Sequence, residues 1–146
     1  NVLKADNANQ EALGFVIHLT ADKFCPMHIA HAEDIGGNNV QIQWFGKATN
    51  LHKVWDEEII KSRGYSYSEY ADFLINRYDG EHKRVEQMTW AELLCMSYHL
   101  TSDINAYHST WNGNAYRYVY DWKQPMEWQL YVAGVRLAQI LNEIYK

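Results

Sequence analysis

Apolar positions recur with helical spacing along much of the chain. The stretch Ala5–Asp22 predicts a helix with a broad apolar surface, and Pro125–Tyr145 predicts another near the end of the sequence. Between them, Asn50 is a favourable N-cap for a helix that runs to about Ile60. Helices therefore account for most of the predicted structure.

Other local signals mark one β excursion and two further helix starts. Apolar and polar residues alternate over positions 40–44 and end at Gly46, which predicts a short strand or hairpin arm. Ser68 is a candidate N-cap, and Thr89–Glu92 has the spacing of a capping box. The pattern as a whole predicts a mainly α fold with one short β-hairpin.

Composition is that of a folded globular chain with one domain. Its 146 residues are 47% hydrophobic and 21% charged, and no apolar run reaches the roughly 18 residues of a membrane span. The net charge of −5 argues against a basic nucleic-acid-binding surface, unless bound metal supplies positive charge. Cys25 and Cys95 allow at most one disulfide and leave open whether they are bonded.

Two His-x-x-x-Asp pairs fall on predicted helices. His18 with Asp22, and His52 with Asp56, lie four residues apart, so each pair shares one helical face and can reach one ion. His28 follows shortly after the first pair, where the chain turns back. Imidazole nitrogen and carboxylate oxygen together suit zinc.

A single pair of this kind is more often a hydrogen-bonded surface pair than a metal site. The chain has a third example, His99 with Asp103, for which the structural interpretation is favoured because no other ligand type converges on it in sequence. The first two pairs differ from it in having specific neighbours.

Those neighbours form three motifs in a fixed order. The segment His18–His28 resembles the His-x3-Asp-x3-Pro-x-His signature of the fungal and plant single-strand-specific zinc nucleases. Gly36–Asn38 resembles that family's Gly-Gly-Asn loop, and Asn50–Asp56 resembles its Asn-Leu-His-x-x-Trp-Asp motif. Two supporting positions depart from the family: Cys25 stands where Gln is usual, and Met27 where Leu is usual.

The resemblance implies a multi-helix fold shared with bacterial zinc phospholipase C, and three zinc ions. His28, His52 and Asp56 would hold one zinc as a complete set of three ligands. His18 and Asp22 would contribute to a second zinc, with Asp22 bridging to the third as a catalytic metal ligand.

The resemblance also implies substrate and location. Asn38 would contact a nucleobase, and Ile35 would line the same pocket. The expected activity is a zinc-dependent endonuclease and 3′-nucleotidase that hydrolyses single-stranded DNA, RNA and 3′-nucleotides to 5′-phosphates. The protein would be secreted or periplasmic.

The family's N-terminal ligands, which begin with a Trp, do not precede His18 here. The expectation is that residues 1–146 are the C-terminal part of a zinc nuclease domain, with the N-terminal segment supplied as a separate chain. Two alternatives remain open. One is a zinc phospholipase C acting on lipid head groups, and the other is a non-catalytic zinc-binding fragment.

Overall fold

The structure is a computed structural model that describes residues 2–6, 8–30 and 32–146. Its elements in chain order are α1 Val2–Ala5, α2 Gln10–Asp22, the 3-10 turns Pro26–Ile29 and Ala32–Asp34, β1 Gln41–Trp44, β2 Lys47–Asn50, α3 Leu51–Lys53, a π-helical segment Val54–Glu58, α4 Ile59–Lys61, α5 Tyr67–Arg77, α6 His82–Gln87, α7 Trp90–His108 and α8 Ala115–Ile144. The predicted mainly α fold with a short hairpin is confirmed over these residues.

The first long helix ends where the sequence predicts and begins later. It ends at Asp22 as expected, but it begins at Gln10 and not at Ala5. The side chain of Asn9 accepts a hydrogen bond from the backbone N–H of Ala12 (2.9 Å) and so caps the helix. An Asn side chain that bonds nearby backbone favours a cap over a helix interior, which separates α1 from α2.

The last helix begins earlier in the chain than the sequence predicts. A start at Pro125 is wrong, because α8 begins at Ala115 and carries Pro125 in its interior. Asn114 caps the true start. The turns before the proline are held by the buried side chains of Tyr118 and Trp122. Their burial offsets the cost of about 3 kcal/mol that an interior proline imposes on a helix.

Capping boxes open two of the central helices. The predicted cap at Ser68 is wrong, since Ser66 caps α5 and exchanges hydrogen bonds with Glu69. The predicted box at Thr89 is confirmed, because the Glu92 carboxylate accepts from the Thr89 N–H (2.7 Å) and the Thr89 hydroxyl accepts from the Glu92 N–H (3.2 Å). Both boxes satisfy backbone donors that a helix start leaves free.

The hairpin delivers the chain to the third motif. Strands β1 and β2 pair antiparallel, with Ile42 and Trp44 buried on one face. Phe45 and Gly46 form the two-residue turn with φ values of 47° and 79°. The second strand ends at Asn50, whose side chain caps the next helix as predicted.

Helix α8 is the central element of the core, and it packs against α2, α4, α5 and α6, while α7 packs against the turn Pro26–Ile29. Fully buried side chains come from α3, the π-helical segment, α4, α6, α7 and α8: Leu51, Val54, Ile59, Val85, Leu93, Ile104, Tyr118 and Val132. Among the described residues, no helix combines the length and apolar character needed to cross a membrane.

Candidate metal centre

The histidines and aspartates of the two predicted pairs, together with His28, form one continuous chain of contacts. His18 Nε2 lies 3.5 Å from Asp22 Oδ2, and Asp22 Oδ1 lies 3.2 Å from His28 Nδ1. His28 Nε2 lies 3.2 Å from Asp56 Oδ1, and Asp56 Oδ2 lies 3.2 Å from His52 Nε2. Imidazole and carboxylate therefore alternate along this series of contacts, and the structure brings all five predicted ligands together.

This centre lies at the surface and keeps access to solvent. The side chains of His28 and His52 are 26% and 22% exposed, their rings stack with centroids 5.1 Å apart, and His18 is 70% exposed. Three imidazoles and two carboxylates offer nitrogen and oxygen donors, which is a donor set that suits zinc. The residues present therefore fit a divalent metal ion.

The orientation of His52 leaves one ring nitrogen available for a metal ion. Its Nδ1 lies 2.8 Å from the carbonyl oxygen of Gly36, and because a carbonyl can only accept, Nδ1 carries the proton. Nε2 then presents its lone pair on the side of Asp56. Metal-binding histidines in general are fixed by such a bond at the other nitrogen.

Two glycines allow the loop to approach this histidine closely. Gly36 has φ +62°, and a Cβ there would lie 2.5 Å from the carbonyl oxygen of Met27. Gly37 has φ +81°, and a Cβ there would lie 3.0 Å from Met27 Sδ and 3.2 Å from the backbone nitrogen of His52. Any side chain at either position would push against the backbone or side chains that hold the centre.

The loop also carries both predicted substrate contacts. Ile35 is 61% exposed and has φ 54°, a conformation that a β-branched residue rarely adopts. Asn38 is exposed, and its side-chain N–H donates to the carbonyl of Ile35 (2.9 Å). Strained residues of this kind cluster at functional sites. A contact with a nucleobase stays a prediction.

Long-range bonds position the ligands, and sequence reasoning missed them. Asp56 lies in the π-helical segment, where the indole N–H of Trp55 donates to the buried hydroxyl of Tyr118 (2.9 Å). The hydroxyl of Thr101 donates to the carbonyl of Pro26 (2.6 Å) and fixes the turn that carries His28. No local pattern marks these partners, because they lie 63 and 75 residues apart in sequence.

Cys25 also lies in this centre, although the sequence analysis does not predict it as a metal ligand. Its thiol donates to Asp56 Oδ1 (3.1 Å), and the ligand atoms of Cys25, His28 and Asp56 all lie within 4.8 Å of one another. Burial raises the pKa of this thiol to about 12, with a further contribution from the Asp56 carboxylate. Cys25 and Cys95 are both free thiols, so the possible disulfide is not formed.

This geometric group differs from the set implied by the resemblance, which has His52 in place of Cys25. The two sets share His28 and Asp56. The third His-x-x-x-Asp pair, His99 and Asp103, belongs to no such group within the described part of the chain.

Fold and site together define a mainly helical protein with a cluster of histidines and aspartates that is a candidate metal centre. The chain belongs to the S1/P1 nuclease family, whose profile matches residues 2–146. The family resemblance expected from the motifs is thereby confirmed.

Individual relatives agree with this assignment. Endonuclease 2 of Arabidopsis thaliana is 29% identical over 92% of this chain and 52% of its own length. Nuclease P1 of Penicillium citrinum is 27% identical over 98% of this chain and 60% of its own length. Nuclease S1 of Aspergillus oryzae is 36% identical over 52% of this chain. The chain thus spans about half the length of the first two relatives.

Proposed function

We propose that this chain supplies most of the zinc ligands of a nuclease that hydrolyses single-stranded DNA, RNA and 3′-nucleotides and leaves 5′-phosphates. The observation that carries this proposal is the alternating chain of three imidazoles and two carboxylates, with contacts of 3.2 to 3.5 Å. Membership of a nuclease family supports the reaction class.

The ligands divide between ions according to their position. His28, His52 and Asp56 hold one zinc, and three protein ligands leave positions open, as a catalytic site requires. Asp22 lies four residues after His18, with its Oδ2 3.5 Å from His18 Nε2, and its carboxylate would bridge the second and third ions. When bound, zinc acidifies water and stabilises charge on phosphate oxygens.

Asn38 and Ile35 bind the base beside the metal ligands. One amide N–H of Asn38 is used by the carbonyl of Ile35, which leaves its side-chain oxygen and second N–H for a base edge. The exposed side chain of Ile35 offers an apolar surface for the base. Single strands are preferred because a base must leave the stack to reach such a pocket.

The remaining ligands would come from a part of the enzyme outside residues 1–146. His18 and Asp22 alone offer too few groups to hold two further ions firmly. The exposed apolar side chains of helix α2 support the proposal that another segment covers it. Phe15, Ile17 and Leu19 are 57%, 42% and 52% exposed. The proposed nuclease is secreted or periplasmic.

A substrate panel tests the function. The chain, purified under native conditions with the polypeptides that bind it, is supplied with zinc and assayed on single-stranded DNA, a 3′-nucleotide and phosphatidylcholine. Hydrolysis of the first two is expected, and it should be lost in a His28→Ala, His52→Ala double variant and kept in His99→Ala. Hydrolysis of phosphatidylcholine alone would indicate a phospholipase C, and zinc binding without any turnover would indicate a non-catalytic protein.

A further inference from the structure

Cys25 lies within hydrogen-bonding distance of a predicted metal ligand. It sits three residues beyond α2, and its Sγ is 3.1 Å from Asp56 Oδ1. The same oxygen is 3.2 Å from His28 Nε2, whereas the other oxygen of Asp56 faces His52. Sulfur, imidazole nitrogen and carboxylate oxygen therefore meet on one side of Asp56.

The space beside these atoms can hold an ion. Cys25, Asp22, His28 and Asp56 all line one cavity of about 190 Å³, whose remaining wall is largely apolar. Zinc binds sulfur at about 2.3 Å and nitrogen or oxygen at about 2.0 to 2.2 Å. Two ligands of one tetrahedral ion therefore lie about 3 to 4 Å apart, and the two contacts to Asp56 Oδ1 are of this length, at 3.1 Å from Cys25 Sγ and 3.2 Å from His28 Nε2.

We propose that Cys25 is a protein ligand of the zinc held by His28 and Asp56. The thiol gives its proton to solvent and the sulfur binds as thiolate, with no change of oxidation state. This inference rests on the proposed zinc-dependent function and adds a ligand that its motifs do not include. With His52, the ion would have four protein ligands, and phosphate would bind as a fifth ligand, so the site would stay accessible to substrate. The soft sulfur would favour zinc over magnesium or manganese.

The competing interpretation is that Cys25 is a half-buried thiol that only hydrogen-bonds to Asp56. The two interpretations differ in whether the sulfur binds the metal ion, and the absorption spectrum of bound cobalt(II) distinguishes them directly. Cobalt(II) bound by thiolate has a near-ultraviolet charge-transfer band, whereas cobalt bound only by nitrogen and oxygen shows the weaker visible bands alone. Cys95, which is exposed on α7, provides a matched control.

The experiment titrates cobalt(II) into the metal-free chain under reducing conditions. The charge-transfer band is expected in the wild type and in Cys95→Ser, and its loss is expected in Cys25→Ser while the visible bands remain. Competition for zinc should show a lower affinity in Cys25→Ser and no change in Cys95→Ser. Loss of a residue that only hydrogen-bonds to a ligand also lowers affinity, by about 10- to 100-fold, so the spectra and not the affinity identify sulfur as a ligand.

Three results would overturn the inference, and they are distinguishable. Visible bands without charge transfer in the wild type would mean that sulfur does not bind, and the zinc function would stand. A charge-transfer band kept in Cys25→Ser and lost in Cys95→Ser would assign the sulfur elsewhere. No cobalt or zinc binding to the wild type would contradict the proposed function as well. The spectra of the wild type and Cys95→Ser decide the matter even if Cys25→Ser does not fold.

Discussion

At the scale of single residues, Asp56 is the most shared group of the metal centre. One of its oxygens faces both His28 and Cys25, and the other faces His52. Three side chains from two motifs therefore depend on one carboxylate. That carboxylate is held in turn by the π-helical segment and by the neighbouring bond from Trp55 to the core.

Replacement of His52 tests the ligand set. His52→Ala should remove about one equivalent of zinc from carefully washed protein, because a site with so few ligands has none to spare. Elemental analysis measures the loss. His99→Ala is the control, since it belongs to an identical His-x-x-x-Asp spacing outside the centre. Full zinc content in a His28→Ala, His52→Ala double variant would refute the assignment.

Replacement of Gly36 tests the support of that histidine. Gly36→Ala should lower the free energy of unfolding by about 1 to 3 kcal/mol and weaken zinc binding, because φ is +62° and the new Cβ would meet a carbonyl oxygen at 2.5 Å. Gly134→Ala is the control, as a Cβ in α8 meets nothing within 4 Å. It should be neutral or stabilising by up to about 1 kcal/mol. Equal stability of the two variants in urea titrations would contradict this view of the loop.

At the scale of elements, a buried carboxylate ties α5 and the chain after α4 to α8. Glu127 of α8 is almost fully buried and lies 2.9 Å from Arg63 Nε and 3.5 Å from Arg77 Nε. The hydroxyl of Tyr70 also donates to it at 3.4 Å. Burial of the hydroxyl raises the pKa of Tyr70, as does the charge of Glu127, so Tyr70 stays protonated and keeps its donor role.

Loss of that carboxylate should be costly. Glu127→Ala is expected to lower the free energy of unfolding by about 3 to 5 kcal/mol, since it leaves Arg63 partly buried and unpaired. Urea titrations of metal-free protein measure the effect. Glu143→Ala, at an exposed position of the same helix, should stay within about 0.5 kcal/mol of the wild type. A similar small effect at Glu127 would mean that the cluster does not fix α5 on α8.

At the scale of the whole molecule, the centre joins elements that are far apart in sequence. One part comes from α2 and the turn after it, and the other from the helical segment that follows the hairpin. A bound ion would therefore cross-link two regions of the fold and stabilise them together.

Removal of metal should expose that cross-link. At neutral pH a chelator is expected to lower the unfolding temperature of zinc-loaded protein. The difference should shrink at acidic pH, because imidazole must be neutral to bind metal. Thermal unfolding with and without chelator across this pH range provides the measurement. An unfolding temperature insensitive to chelator at every pH would show that metal does not support the fold.

The isolated chain should be a poor nuclease. In the proposed arrangement, His28, His52 and Asp56 hold one ion, whereas His18 and Asp22 leave the other two ions short of ligands. The ion pair that acidifies water should therefore be weakly held. Residues 1–146, expressed alone and saturated with zinc, should bind phosphate but hydrolyse single-stranded DNA slowly. Turnover equal to that of an intact family member would show that residues 1–146 complete the site by themselves.

Local chemistry by itself determined much of this protein. Several features follow from residues within a few positions of one another. They are the caps at Asn50 and Thr89, the alternating strand before Gly46, and the spacing of His52 with Asp56. Such features can be read from the sequence because capping hydrogen bonds and the face of a helix involve residues only three or four positions apart.

Tertiary structure decided what local chemistry could not. The turns of α8 before Pro125 exist because their aromatic side chains are buried, and burial depends on distant elements. Cys25 enters the metal centre because two separate segments meet at Asp56, which lies 31 residues away. Packing energy at such contacts is comparable to or larger than local propensity, so it overrides local signals wherever the two differ.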